Sequence, residues 1–397
     1  MSKRSVFLLL LASVLLSSCR ARFGHTTAEV LISAMNTEEK KSLLFLEDGR
    51  TAALERMGIP SVTVAEPEEI PGAEMLLRTW DTDLAYQAGT IICSASSMEK
   101  TTCVRCPVLM TEDPEYSGMM TAATGRGIRD CGYGLILGPE TPDLENVIAQ
   151  VEPWAVVADN GIPLIDGYDG PVFVTGFLSD TISGPVLDMC VAKVLAFIER
   201  SLDKPVPSID DSVMNITSYR KSLLEKGMVL LKNNGMIPLK TAGQRIALYG
   251  SESYGLFDES LAKAGFRLEP SVVSYYSRHS VTERQAYQLR ADAIASNSAV
   301  IVFSDSLDAK DMKLVDDVCA AFHSKSRMVA VVLATGGPVN TEGWEGKPDA
   351  IVYSGIADSD VASVVSNVFK GTVTASGRLS GTWSSSYPFG HGLGAYL

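Results

Sequence analysis

The chain has 397 residues, 46% of them hydrophobic, which is enough for two domains with real cores on a prior of about 150 residues per domain. Its formal net charge of −13 and pI near 4.9 leave no basic stripe to displace phosphate counterions, so a nucleic-acid partner is excluded. Seven cysteines are scattered through the chain, which does not make a small disulfide scaffold.

Lys3 and Arg4 precede an apolar run, Val6 to Leu16, too short for an ordinary membrane span. The run ends in Leu16-Ser17-Ser18-Cys19, which resembles a bacterial lipobox. On that reading residues 1–18 are a signal peptide and Cys19 is the lipid attachment site; the alternative is a plain signal peptide cleaved nearby. The expected location is the bacterial cell envelope, with the protein lipid-anchored at a periplasmic or outer-membrane face rather than spanning the membrane.

Asn36 or Thr37 can cap a helix whose first turn carries Glu38 and Glu39, where the helix dipole favours negative charge. Gly58-Ile59-Pro60 leads into a short alternating strand, Ser61 to Val64, ending at Ala65-Glu66-Pro67. Thr79-Trp80-Asp81 looks like the next helix start, and Glu112-Asp113-Pro114 another, with Pro114 at the first helical position and Asp113 as cap. Tyr133 to Leu137 reads as a strand running into Gly138-Pro139-Glu140. Pro171 to Val174 is a further short strand, preceded by the turn Gly167-Tyr168-Asp169-Gly170 and left through Thr175. Val186 to Pro205 is an amphipathic helix, and the Pro-, Ser- and Asp-rich residues 206–217 read as a linker. Beyond it, a helix from Ser218 to Gly227 leads into Met228 to Asn233, and then apolar strands at 245–249, 299–304, 328–334 and 350–353 alternate with helical stretches, the pattern of a parallel or mixed sheet covered by helices.

Several stretches resemble glycoside hydrolase family 3, the β-glucosidase family. Met35 to Lys40, Gly58-Ile59-Pro60 and the helix from Trp80 are similar to its "MTxEEK", "GIP" and "TWDxxLA" segments, in that order. Glu112 to Gly118 resembles "GEDPxLxG", Arg105 falls on the arginine of "GRNFE", and Gly167 to Gly170 resembles "GFDG". Met228 to Leu239 resembles "GxVLLKNxxxxLPL", and the end, Ser376-Gly377-Arg378-Leu379 with Tyr387 to Leu393, resembles "SGRLPxT…YPFGHGLSY". The resemblance implies an α/β fold: a (β/α) barrel followed by an α/β sandwich domain. Here residues 25–205 supply only about 180 residues against about 250 for a full barrel. The expectation is therefore a truncated or incomplete barrel with exposed sheet edges over 25–205, a linker over 206–217, and the sandwich over 218–397.

Family 3 chemistry is retaining glycoside hydrolysis, which needs two carboxyl groups about 5–5.5 Å apart. Aligned from Gly167, the position of the family nucleophile is Thr175 and the following tryptophan is Gly176. A threonine without an adjacent base is a poor nucleophile, so Asp180 is the remaining catalytic candidate. The family's Lys-His clamp has no counterpart after Tyr133 to Leu137, and the glutamate of "GRNFE" is Val108. Glu66 stands for the sugar-gripping aspartate, and Arg105 and Asp113 complete the expected substrate-binding set. Asp308 or Asp311 could supply the acid/base; the alternative is a solvated surface. Cys103-Val104-Arg105-Cys106 has no second ligand pair at metal spacing and reads as a loop pair open to disulfide linkage in an oxidising compartment. No metal and no cofactor is expected. Two functions follow: a catalytically degraded envelope lipoprotein that binds carbohydrate or acts as a scaffold, or an active exo-acting β-glycosidase with a displaced nucleophile. The expected partners are a carbohydrate ligand, offered aromatics such as Trp80, Trp154 or Trp344, and a membrane through the anchor. A protein partner or a second copy of the chain is the other route to completing the barrel.

Overall fold

The structure, a computed structural model, describes residues 21–67, 69–70, 72–93, 101–178, 182, 184–207, 215–239, 243–250, 254–268, 283–304 and 307–394. The chain divides into two compact units. One holds residues up to 70 together with 85–110 and 114–214, the other residues 71–84, 111–113 and 215–397.

The first unit opens with helices α1 (Ala28–Ser33) and α2 (Thr37–Ser42). Asn36 caps α2 as expected: its side chain accepts from the Glu39 N–H while Glu39 returns a bond to the Asn36 N–H, both at 2.9 Å. A two-stranded hairpin, β1 (Leu46–Glu47) and β2 (Arg50–Thr51), follows. Five short strands then line up in chain order, all parallel: β3 (Val64–Ala65), β4 (Cys103–Arg105), β5 (Gly134–Leu137), β6 (Ala155–Ala158) and β7 (Val172–Val174). This is the half-barrel expected of a truncated domain.

Its edges are not bare, which corrects the expectation of exposed strands. Val174 N–H donates to Leu44 at one edge; at the other, Val64 N–H donates to Gly49 and Thr51 N–H to Val62. One segment, residues 44–51, therefore satisfies both edges and ties the half-barrel into a ring. The reduction is visible in the crossovers. Helices α3 (Ala73–Thr79) and α4 (Thr82–Ile92) lie between β3 and β4 in sequence, α5 (Pro114–Asp130) joins β4 to β5, and α6 (Leu144–Val151) joins β5 to β6. Residues 159–171, between β6 and β7, are turns and loop without a helix, about the shortest crossover parallel strands allow. The long helix α7 (Gly184–Asp203) packs Leu187, Val191, Val194 and Ile198 into a core with Phe173, Val174 and Val157.

The second unit begins with α8 (Ile216–Gly227) and β8 (Val229–Asn233). Then come β9 (Arg245–Gly250), α9 (Tyr254–Ala264), β10 (Arg267–Leu268), α10 (Glu283–Ala295), β11 (Ser298–Phe303), α11 (Ala309–His323), β12 (Met328–Leu333), β13 (Ala350–Tyr353) and α12 (Ser359–Lys370). The sheet order is β10-β9-β11-β12-β13-β8, parallel except for β8 against β13. Alternate residues feed two cores. Ala247, Tyr249, Ile301 and Val331 pack on one face, and Ile246, Leu248, Val300 and Val332 on the other. Burial of both faces is why these strands read as continuous apolar runs. The tail folds back within this unit: Gly377 N–H donates to Met228, Leu393 N–H to Leu230, and His391 Nε2 lies 2.9 Å from the Leu231 carbonyl oxygen.

Candidate functional site

In the first unit every strand of the half-barrel ends toward the same rim, so the residues that leave β3 to β7 form one surface. Glu66 follows β3, Arg105 ends β4, Glu140 follows β5, Asp159 and Asn160 follow β6, and Thr175 follows β7.

Arg105 is the centre of this rim. Its Nη1 lies 3.3 Å from Glu66 Oε1, and its Nη2 lies 2.9 and 2.8 Å from the two oxygens of Glu140. Burial disfavours the Arg105 charge, yet the neighbouring Glu140 and Glu66 charges outweigh this and raise its pKa above the ordinary value. The guanidinium thus lies between two carboxylates whose side chains remain 60% and 46% exposed. The strand register places Cys103, Gly134 and Val64 side by side, so the three rim residues rise from neighbouring strands. A Cβ on Gly138 would stand 2.5 Å from the Glu140 oxygens and 2.6 Å from Arg105 Nη2, so a side chain there would push the ends of both out of this arrangement.

Thr175 stands directly at the end of β7. Its N–H donates to the Ala158 carbonyl at 3.1 Å, and its hydroxyl has the same oxygen as a distant acceptor at 3.5 Å. A backbone carbonyl cannot take up a proton as a general base does, so this hydroxyl is not activated. Gly176 is fixed by its surroundings, since a Cβ there would approach the Asp159 carbonyl oxygen to 2.4 Å and Asn160 Oδ1 to 2.7 Å. Asn160 Oδ1 accepts the Phe177 N–H at 2.9 Å, and Gly161 N–H donates to the Phe177 carbonyl at 2.8 Å. This pinned loop presents the Phe177 ring 65% exposed at the rim.

Of the expected substrate-binding residues, the structure brings Glu66 and Arg105 together and places Asp113 in the second unit. There the Asp113 N–H donates to Thr111 Oγ1 at 3.2 Å, just ahead of α5 with Pro114 as its first residue. Neighbouring Glu112 accepts from both Thr382 N–H, at 3.0 Å, and Thr382 Oγ1, at 2.5 Å, which makes it a fastener of the tail. Asp180 and Cys19 lie outside the described residues. Asp308 and Asp311 form the capping box of α11, with Asp308 accepting the Lys310 and Asp311 N–H groups at 2.7 and 3.0 Å. Those backbone donors hold the Asp308 carboxyl below the usual range, the opposite of what a general acid needs.

Three expectations are corrected. Cys103 and Cys106 are not a disulfide but free thiols, one on β4 and one just past it, both buried and turned to different neighbours: Cys103 Sγ meets Ser201 Oγ at 3.3 Å, and Cys106 Sγ faces the Thr121 carbonyl at 3.8 Å. Burial raises both thiol pKa values, that of Cys106 to about 12. Trp344 and Trp154 are not ligand platforms: both are buried, Trp344 with its indole N–H on Asn340 and Trp154 under Arg200 and Lys204. Trp80 stacks against Phe389 at 5.3 Å. Sequence reasoning missed Glu140 and Phe177. Glu140 sits where a lysine and histidine were sought and carries the opposite charge; Phe177 is the first aromatic after β7, beyond Thr175 and Gly176. Among the described residues no group of three or more His, Cys, Asp or Glu side chains is placed to hold a metal, and no helix is long and apolar enough to cross a membrane.

Residues 228–394 match the model of the glycosyl hydrolase family 3 C-terminal domain. Among solved structures, β-glucosidase 3B from Thermotoga neapolitana in complex with α-D-glucose is similar at 17% identity and a TM-score of 0.63, over 90% of this chain and 75% of that one. The family 3 β-glucosidase of Bifidobacterium adolescentis is similar at 16% identity and a TM-score of 0.60, over 88% and 70%. The β-D-glucoside glucohydrolase of Trichoderma reesei is similar at 14% identity and a TM-score of 0.60, over 90% and 73%. No curated protein matches the chain at the level of sequence.

Proposed function

We propose that this chain, whose residues 228–394 are a glycosyl hydrolase family 3 C-terminal domain and whose fold is that of the β-glucosidases, binds carbohydrate without hydrolysing it. The observation that carries the reading is Thr175. The strand end where the family keeps its nucleophile holds a hydroxyl whose partner is a backbone carbonyl. The rest of the rim supports binding. A charged Arg105 with Glu66 and Glu140 offers donors and acceptors matched to sugar hydroxyls, and exposed Phe177 offers a ring for the apolar face of a sugar. Glu66 and Glu140 share one guanidinium, so their oxygens are engaged there rather than aimed from opposite sides of a glycosidic bond. Within this proposal the protein is a lipoprotein of the bacterial envelope anchored at Cys19, a reading supported by Leu16-Ser17-Ser18-Cys19.

The test is hydrolysis of a panel of aryl β-glycosides by the chain from Arg20 onward, run beside Asp180→Ala. The expected result is no turnover above buffer for either protein, together with a rise in melting temperature on adding a monosaccharide or oligosaccharide ligand. Turnover in the parent that vanishes in Asp180→Ala would establish the other reading, an exo-acting retaining β-glycosidase whose nucleophile has moved five residues along the chain.

A further inference from the structure

Helices α4 and α5 of the first unit approach each other unusually closely. A Cβ on Gly89 would stand 2.1 Å from the Thr124 carbonyl oxygen, and one on Gly127 would stand 2.2 Å from that of Tyr86 and 3.2 Å from Gly89 Cα. Residues four positions further along each helix stay on the face that makes this contact. One turn beyond Gly89 is Cys93, and one turn beyond Gly127 is Cys131. Both are free thiols, and the Cys93 thiol hydrogen-bonds Cys131. The same thiol lies 3.2 Å from the Gly89 carbonyl and 4.0 Å from that of Ile128, which fixes it between the two helices. Tyr86 adds a second tie, its hydroxyl donating to Asp130 at 3.2 Å.

We propose that Cys93 and Cys131 are a disulfide-forming pair, a covalent modification site that joins the end of α4 to the end of α5. The two cysteines have distinct parts. Cys93 is buried at 3% exposure, whereas Cys131 is half-buried and reachable. The hydrogen bond from Cys93 favours the Cys131 thiolate and lowers its pKa, while that bond and burial raise the pKa of Cys93. Cys131 is therefore the attacking sulfur. The oxidant is a disulfide, small or protein-borne. The Cys131 thiolate attacks one of its sulfurs, forms a mixed disulfide and expels the other as a thiolate that takes up a proton. Cys93 then gives up its proton and attacks Cys131 Sγ, which releases the second oxidant sulfur. The pair loses two electrons and two protons, and the oxidant gains them as two thiols. Cys103 and Cys106 have no such geometry, since each faces a different neighbour.

The experiment treats the folded chain with oxidised glutathione, quenches with acid, alkylates the remaining thiols and maps the peptides. The expected result is the loss of two alkylatable thiols, one cross-linked peptide joining Cys93 to Cys131, and full alkylation of Cys103 and Cys106. Cys93→Ser should trap glutathione on Cys131, and Cys131→Ser should carry no adduct at Cys93. A Cys103→Ser/Cys106→Ser variant should oxidise as the parent does. Full alkylation of Cys93 and Cys131 after treatment, in a chain still folded by circular dichroism, would overturn the proposal. So would a cross-link from either cysteine to another one.

Discussion

Arg105 organises the candidate site because it lies between two carboxylates that follow the neighbouring strands. Arg105→Ala leaves Glu66 and Glu140 adjacent and uncompensated. The variant should fold, because partly exposed ion pairs contribute only about 0–1 kcal/mol, but sugar binding measured by calorimetry should fall at least tenfold. Phe177→Ala tests the other half of the rim. The ring is 65% exposed, so stability should hold while affinity drops roughly five- to tenfold, about 1 kcal/mol for a lost ring contact. An unchanged affinity in both variants would move the site elsewhere. Restoring the family pattern should not be simple. Thr175→Asp is sterically tolerable at an exposed strand end, but any side chain at Gly176 collides with Asp159 and Asn160, so Gly176→Trp should unfold the β7 loop. Gly176 is thus held by its neighbours, whereas Thr175 is not.

At the scale of elements, α4 depends on one residue. Asp81 Oδ1 accepts the Asp83 and Leu84 N–H groups at 2.9 and 3.1 Å, and Lys226 on α8 approaches its other oxygen at 2.5 Å. Burial pushes the Asp81 carboxyl up, but the Lys226 bond and the backbone donors together bring it below its usual 3.8. A folded-state pKa below the unfolded one means that the stabilisation is present above about pH 4 and is lost as the pH falls through the folded value. Asp81→Asn keeps the cap and loses the charge, so its unfolding free energy should vary less with pH below 4 than the parent's. Asp81→Ala also loses the cap and should cost about 1 kcal/mol at neutral pH. Urea unfolding at several pH values reads both. Which elements could be read from the sequence follows from their physics. Strands β11, β12 and β13 of the second unit, six, six and four residues long and buried on both faces, stand out as apolar runs. In the first unit β3 has two residues and β7 three, too few for a periodicity, and they were placed only through their flanking turns. Helix α3 was missed. It starts after Gly72 in the left-handed region and ends at Trp80 in the same region, with no Ser, Thr, Asp or Asn cap to announce it.

For the whole molecule, the shortage of residues in the first unit was legible from length alone, but the way the chain copes with it was not. The segment 44–51 covers both edges of the half-barrel through backbone hydrogen bonds and bridges that no local pattern announces. Glu140 and Phe177 were hidden for a related reason: each becomes a rim residue only when the strands are set side by side. The Cys93–Cys131 cross-link would act at this scale too. Closing a loop of about 39 residues should stabilise the unit by about 3–4 kcal/mol in the chain-entropy account, visible as a higher melting temperature for the oxidised chain than for the reduced one. Equal melting temperatures would mean that strain or residual unfolded structure cancels the gain.

The central claim is that the strand end which carries the nucleophile in the family carries none here, and an intact-mass measurement tests it directly. A retaining glycosidase passes through a covalent glycosyl-enzyme intermediate, which an activated 2-deoxy-2-fluoroglycoside traps. The account predicts an unchanged mass after prolonged exposure of the chain to such glycosides. A stoichiometric gain of one glycosyl group, mapped to Asp180 or to any carboxylate of the β3 to β7 rim, would contradict it.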